Sequence, residues 1–231
     1  MLAKIRGYFI IIEFSLTILI VILLLYLFKN KKHKIRKLYG TIQSYFMGFN
    51  VIQKGEPDKE AKLILINHQS LIDIIALEAT YPKDLCWVAK KEIEQIPIFG
   101  HVMTVSQMIS IDRKNKRSII EIIKLSKKRL SEGRVIAMFP EGTRGDGKNL
   151  LEFQVGAKIL AEKLNLKVQP VVIANTKHVF NSEDTTSNRD NISVMYLNSI
   201  DPKSDKNWFE TMKNNMQIRL KDELANYNSH R

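Results

Sequence analysis

The chain has 231 residues, enough for one sizeable domain and an appendage, and its 45% hydrophobic and 26% charged content is that of a folded protein. A net charge of +12 and a pI near 9.6 point to an anionic partner: nucleic acid, a membrane surface or a phosphorylated ligand. The single cysteine, Cys86, excludes an intrachain disulfide and a multi-cysteine zinc site, and its apolar surroundings read as core.

From Gly7 to Phe28 the only charge is Glu13. A helix over that stretch is roughly 33 Å long, the thickness of a bilayer core. Lys29, Lys31, Lys32, Lys34, Arg36 and Lys37 follow at once. The length of the apolar run, the charge behind it and the lack of a small-residue cleavage site disfavour a cleaved signal peptide. If the helix spans, its basic flank places the rest of the chain on the cytoplasmic face. A helical hairpin dipping into one leaflet is the alternative. Ile35, Leu38, Ile42, Tyr45, Phe46 and Phe49 recur at helical spacing, so a second helix is expected from Lys34 to Phe49, either in the headgroup layer or packed on the domain. Residues 1–50 are therefore expected to be membrane-anchoring helices and residues 51–231 an α/β domain.

Gly55 and Pro57 punctuate the entry to that domain. Leu63–Ile66, Leu85–Ala89, Met108–Ile111, Val135–Phe139, Val168–Ile173 and Ile192–Leu197 read as short buried strands. Helical patterns begin at Leu71 and cover Ser118–Leu130, Val155–Leu164 and Trp208–Tyr227, while the polar tract Asn181–Asn191 reads as a mobile loop. Strands alternating with helices predict an α/β fold, a largely parallel central sheet flanked by helices and preceded by the N-terminal membrane-associated helical segment.

Four segments carry the chemistry. His68 stands between strand Leu63–Ile66 and the following helix, five residues before Asp73. A carboxylate there can hold one ring nitrogen and leave the other free to take a proton. A plainer reading makes Asp73 only a helix cap, since Ser70–Asp73 fits S-x-x-D. The second segment is Asp112–Arg113, where Arg113 also opens a basic run with Lys114, Lys116 and Arg117. The third is Phe139-Pro140-Glu141-Gly142-Thr143-Arg144, in which Glu141 could pair with Arg144. The fourth is Val168-Gln169-Pro170-Val171. Ligands of open α/β sheets bind beyond the carboxyl ends of the strands. His68 as base with Lys90, Arg113 and Arg144 around one anion is the arrangement expected there. Gly142, Gly147 and Lys148 imitate P-loop spacing, but Asn149 replaces the Ser or Thr that would hold magnesium.

These segments, in this order, resemble the glycerolipid acyltransferases, most closely the 1-acylglycerol-3-phosphate (lysophosphatidic acid) acyltransferases. His68–Asp73 matches H-x-x-x-x-D, Ile111-Asp112-Arg113 matches I-D-R, Phe139–Arg144 matches F-P-E-G-T-R, Val168–Val171 matches the proline-bearing fourth motif, and Lys90 falls on the lysine of A-K-x-E. The chain departs from the pattern at Ser106-Gln107, where a glycine is usual, and at Phe153-Gln154-Val155-Gly156, where the second residue is often lysine.

The resemblance implies acyl transfer from an acyl thioester, acyl-CoA or acyl carrier protein, to the sn-2 hydroxyl of lysophosphatidic acid in a membrane, giving phosphatidic acid. His68 would be the base and Asp73 its orienter, with backbone N–H groups near the start of the helix after Ser70 facing the oxyanion. Lys90, Arg113, Glu141, Gly142, Thr143 and Arg144 would hold substrate, with no cofactor and no metal. Glycerol 3-phosphate or another lyso-lipid is the alternative acceptor. A non-catalytic membrane-anchored protein that binds anionic lipid is the rival of another class. Nucleic-acid binding is disfavoured for want of a reading module.

Overall fold

The computed structural model describes residues 1–112, 115 and 118–229. Two helices come first, α1 (Leu2–Leu27) and α2 (Lys32–Met47). The domain follows as β1 (Val51–Lys54), β2 (Leu63–Ile66), α3 (Ile72–Thr80), β3 (Leu85–Lys90), α4 (Lys91–Glu94), α5 (Pro97–Val105) and β4 (Ile109–Ile111). It continues through α6 (Ser118–Ser131), β5 (Val135–Met138), α7 (Val155–Leu164), β6 (Val168–Ala174), α8 (Thr176–Val179), β7 (Phe180–Asn181), β8 (Thr186–Ser187), β9 (Ile192–Tyr196) and α9 (Trp208–Ser229).

Seven strands form one sheet in the order β1-β9-β6-β2-β5-β3-β4. The five from β6 to β4 are mutually parallel; β9 joins β6 antiparallel, and β1 closes that edge parallel to β9. The mostly parallel sheet is as expected. The antiparallel edge and β1 were not legible, because Val-Ile-Gln-Lys is too short and too polar to stand out.

Alternation along the strands explains the layers, since successive side chains point to opposite faces. Ile64, Ile66, Val135, Ala137, Val171 and Ile173 face one core, shared with Phe14, Ile18, Met47, Ile75 and Leu77 of α1–α3. Leu63, Leu65, Ile136, Met138, Val168 and Val172 face the other, shared with Ile122, Leu160, Met212 and Met216 of α6, α7 and α9. Each fully buried Leu or Ile contributes about 1.5–3 kcal/mol, so both faces of the central strands hold the fold together.

Helix α1 is long and apolar enough to cross a membrane. In the structure it lies lengthwise on the domain: Gly7, Ile10, Phe14, Ile18, Val21 and Leu25 form one buried stripe. Arg6 donates to the carbonyl of Met47 at 2.7 Å near its beginning, and Leu25 packs beside Val105 near its end. The opposite face, including Phe9, Ile12, Leu16, Ile20 and Leu23, is exposed, as are Leu38, Tyr45 and Phe46 of α2. Helix α2 meets α3 very closely at Gly40, where an added Cβ would lie 2.8 Å from the Ala79 backbone nitrogen. The tract expected to be a mobile loop instead carries the β7–β8 hairpin, with Phe180 paired to Ser187 and Asn181 to Thr186.

Candidate active site

Strand β2 ends at Ile66, and Asn67 takes over its pairing with β6. The buried Asn67 amide donates to the carbonyl of Ile173 at 2.8 Å and accepts its N–H at 2.7 Å. A side chain thus replaces a rung of the ladder and fixes the position of the next residue, His68. The chain then turns into α3. Asp73, in its first turn and wholly buried, accepts from Nδ1 of His68 at 2.9 Å through Oδ2. The same oxygen accepts the N–H groups of Gln69 at 2.6 Å and Ser70 at 2.9 Å. One carboxylate thus holds both the backbone turn into α3 and the ring of His68. Its other oxygen accepts the hydroxyl of Thr176 at 2.6 Å. Among the described residues Nε2 of His68 has no hydrogen-bond partner, and the ring lines an open cleft.

The backbone of His68 is clamped by the loop after β5. Glu141 Oε1 accepts the His68 N–H at 2.7 Å, and the Gly145 N–H donates to the His68 carbonyl at 2.8 Å. Glu141 Oε2 accepts the Leu151 N–H at 2.7 Å. Gly142 turns this loop with φ +72°, a left-handed conformation that glycine adopts without strain. Burial pushes the Glu141 carboxyl up to about 7, against the pull of its two backbone N–H partners and with a further push from Asp73 and Asp146. Glu141 therefore does not pair with Arg144, whose guanidinium instead donates to the Ser182 hydroxyl at 3.0 Å, nor does it face the cleft.

The cleft, about 320 Å³, is bounded by His68, Phe139, Lys90, Gly142, Thr143 and Arg144, with Glu183 at its edge held by Lys177 at 3.0 Å. Of the expected residues, His68, Lys90, Gly142, Thr143 and Arg144 meet there; Asp73 and Glu141 lie behind, supporting His68. Arg113 lies outside the described residues, so the expectation placed on it falls outside them too. The fourth segment does not join the others. Gln169 and Pro170 sit in the opening half of β6, where the Gln169 amide accepts the Asp58 N–H and donates to the Glu56 and Leu197 carbonyls. Of the amides near the start of α3, those of Gln69 and Ser70 are engaged on Asp73 and those of Ile72 and Asp73 on Ser70.

Next to the cleft is an apolar cavity of about 180 Å³ between α1, α2, α3 and α5. Ile74, Trp87, Ala89 and Ile93 line both spaces. The site is thus an imidazole flanked by cations on one side and by an apolar cavity on the other. Sequence reading missed Thr176, Trp87 and Glu183. The polar pair Asn175-Thr176 directly after β6 was the available signal for the first, because it stands at a strand's carboxyl end as His68 does.

A family model described as acyltransferase matches residues 48–174, more than half of the chain, with His68, Asp73, Lys90 and Glu141–Arg144 inside the match. The chain belongs to the acyltransferase family. A relative named 1-acyl-sn-glycerol-3-phosphate acyltransferase, from Helicobacter pylori, is 40% identical over 213 residues, covering 90% of this chain and 89% of its own. One of the same name from Saccharomyces cerevisiae is 29% identical over 69% of this chain and 54% of its own. A lyso-ornithine lipid O-acyltransferase from Rhizobium meliloti is 29% identical over 67% of this chain and 55% of its own. Among solved structures, the 1-acyl-sn-glycerophosphate (LPA) acyltransferase PlsC of Thermotoga maritima superposes with a TM-score of 0.73 at 22% identity, over 98% of this chain and 95% of its own, a likeness of fold. As a member of the family this acyltransferase is an enzyme, and the exposed apolar faces of α1 and α2 mark it as membrane-associated.

Proposed function

We propose that this acyltransferase moves an acyl chain from a thioester to the sn-2 hydroxyl of 1-acylglycerol 3-phosphate, giving phosphatidic acid. The observation that carries the reading is the imidazole of His68, held by Asp73 and lining a cleft that also presents Lys90 and Arg144. The acceptor's phosphate sits against these cations, which places its free hydroxyl toward Nε2 of His68. The hydroxyl oxygen attacks the thioester carbonyl while its proton passes to Nε2. Asp73 keeps Nδ1–H in place and stabilises the imidazolium. The tetrahedral adduct collapses by breaking the carbon–sulfur bond, and the imidazolium returns its proton to the departing sulfur. The attacking oxygen belongs to the acceptor, so no acyl-enzyme forms. The apolar cavity beside the cleft suits an acyl chain.

The 40% identity with the Helicobacter pylori protein supports lysophosphatidic acid as acceptor. The basic chain suits both anionic donors, acyl-CoA and acyl carrier protein. Because α1 is packed along the domain, we place it in one leaflet with its outer face among acyl chains, and the catalytic domain on the cytoplasmic side, where the basic residues from Lys29 to Lys37 meet anionic headgroups. The test is product analysis with purified enzyme in anionic vesicles, offering lysophosphatidic acid, glycerol 3-phosphate and lyso-ornithine lipid with each donor. Preference for either of the latter two acceptors overturns the assignment. Full activity of His68→Ala overturns the base.

A further inference from the structure

A hydrogen bond fixes one atom of an imidazole and leaves the plane of the ring free to swing about it. Asp73 fixes Nδ1 of His68. The direction in which Nε2 points depends on the ring plane, and that plane is set by Phe139, stacked on His68 at 3.8 Å between centroids and 12° between planes. Phe139 is only partly buried and makes a second stack, with Trp87 of β3, at 5.2 Å and 21°. Trp87 in turn is anchored by its indole N–H, which donates to Glu78 Oε1 of α3 at 2.7 Å. Glu78 Oε2 accepts from Arg36 Nε of α2 at 3.1 Å. Arg36, Glu78 and Trp87 are 5%, 8% and 7% exposed.

Glu78 links α2 to α3 through Arg36, whose guanidinium also meets Asp84, a carboxylate it shares with Arg134, and donates to the Leu85 carbonyl at 3.1 Å. A second buried carboxylate beside it is costly to desolvate. Glu78 gives one of its oxygens wholly to the indole, and the indole has no other hydrogen-bond partner among the described residues. A hydrogen bond on the indole stops the large ring from sliding in the apolar cavity it lines, and so stops Phe139 from sliding with it.

We propose that Glu78 and Trp87 are positioning residues for the catalytic base: the Glu78–Trp87 hydrogen bond holds the Trp87–Phe139–His68 stack that aims Nε2 of His68 into the cleft. The proposal rests on the reading of His68 as base.

Trp87→Phe tests it, because it removes the N–H and keeps an aromatic ring. In full-length enzyme in vesicles, kcat should fall about tenfold, the order expected of a sub-ångström misplacement; because Trp87 also lines the apolar cavity, the donor's KM is not the readout, and the His68 ring itself is. In histidine-labelled enzyme the His68 ring protons, shielded by the Phe139 face, should move downfield; their resonances are those lost in His68→Ala. Glu78→Leu, which leaves Asp84 shared between Arg36 and Arg134, should reproduce both effects on kcat and the His68 resonances, and the double variant should add nothing to the single ones. If kcat or the His68 resonances stand still in Trp87→Phe, the stack does not aim the base. If His68→Ala stays active, the base assignment fails instead, and the resonances still report whether Glu78 and Trp87 hold the ring.

Discussion

Thr176 gives its hydroxyl to the one oxygen of Asp73 that His68 does not use, at 2.6 Å, so α8 fixes the rotation of a carboxylate that begins α3. Replacement by valine keeps the shape and leaves a buried carboxylate oxygen without a donor. Thr176→Val should cost about 1–3 kcal/mol of stability. Its kcat should fall as well, since Asp73 can then tilt away from Nδ1. Denaturant unfolding and steady-state kinetics check the two effects separately.

Asp73→Asn is the companion experiment. The amide oxygen can still receive the Gln69 and Ser70 N–H groups, and the amide nitrogen can meet the Thr176 hydroxyl as a donor. What is lost is the charge facing the imidazolium. The variant should fold and lose about 10²–10⁴ in kcat. Activity near that of the unaltered enzyme would mean that His68 works without its carboxylate.

Glu141→Gln should weaken the loop that clamps His68. Both oxygens of Glu141 accept backbone N–H groups, so the amide nitrogen of a glutamine must oppose either His68 N–H or Leu151 N–H. One donor left facing another costs about 1–3 kcal/mol. Thermal unfolding reads the loss, and kcat should drop with it.

The same carboxyl has a signature in pH. Burial raises it to about 7 in the folded chain, above the 4.5 it has when exposed. Between these values the folded chain keeps a proton that the unfolded chain has released, so this group's contribution to stability falls as pH rises through the window. The stability difference between the enzyme and Glu141→Gln should therefore shrink from pH 5 to pH 8. A difference that grows instead would mean that the two N–H bonds outweigh burial and keep the group ionised.

Gly40 predicts the cost of separating α2 from α3. An alanine there places a methyl 2.8 Å from the Ala79 nitrogen and 2.9 Å from the Ile75 carbonyl oxygen, backbone atoms that cannot rotate away. Gly40→Ala should destabilise by about 1–3 kcal/mol. Gly40→Leu should do more, and should lower activity by shifting the helix that carries Asp73. Unfolding midpoints of the two variants, compared with their kcat, decide this.

The strands and helices that read clearly in the sequence were those with long apolar or periodic runs: Leu63–Ile66, Val135–Met138 and α7 were placed within a residue. His68 and Lys90 stand out because a polar residue at the end of a buried strand has few other reasons to be there, whereas Asp73 and Arg144 stand out by their places in H-x-x-x-x-D and F-P-E-G-T-R. What was hidden depends on contacts across the sheet. Nothing near Thr176 says that it faces a residue more than a hundred positions earlier, and nothing near Glu141 says that it turns inward to the His68 backbone. Pro170 misled for a related reason. The start and the end of a seven-residue strand look alike in sequence, and β6 exposes its functional end only after Ala174.

With α1 in one leaflet, as proposed above, its stripe from Gly7 to Leu25 against the domain holds the cleft at the lipid surface. Encounters with the acceptor are then two-dimensional. Turnover follows the mole fraction of lysolipid within the surface rather than its molarity in the suspension, and diluting the acceptor with inert phospholipid slows the enzyme even when the total amount of acceptor in the tube is unchanged.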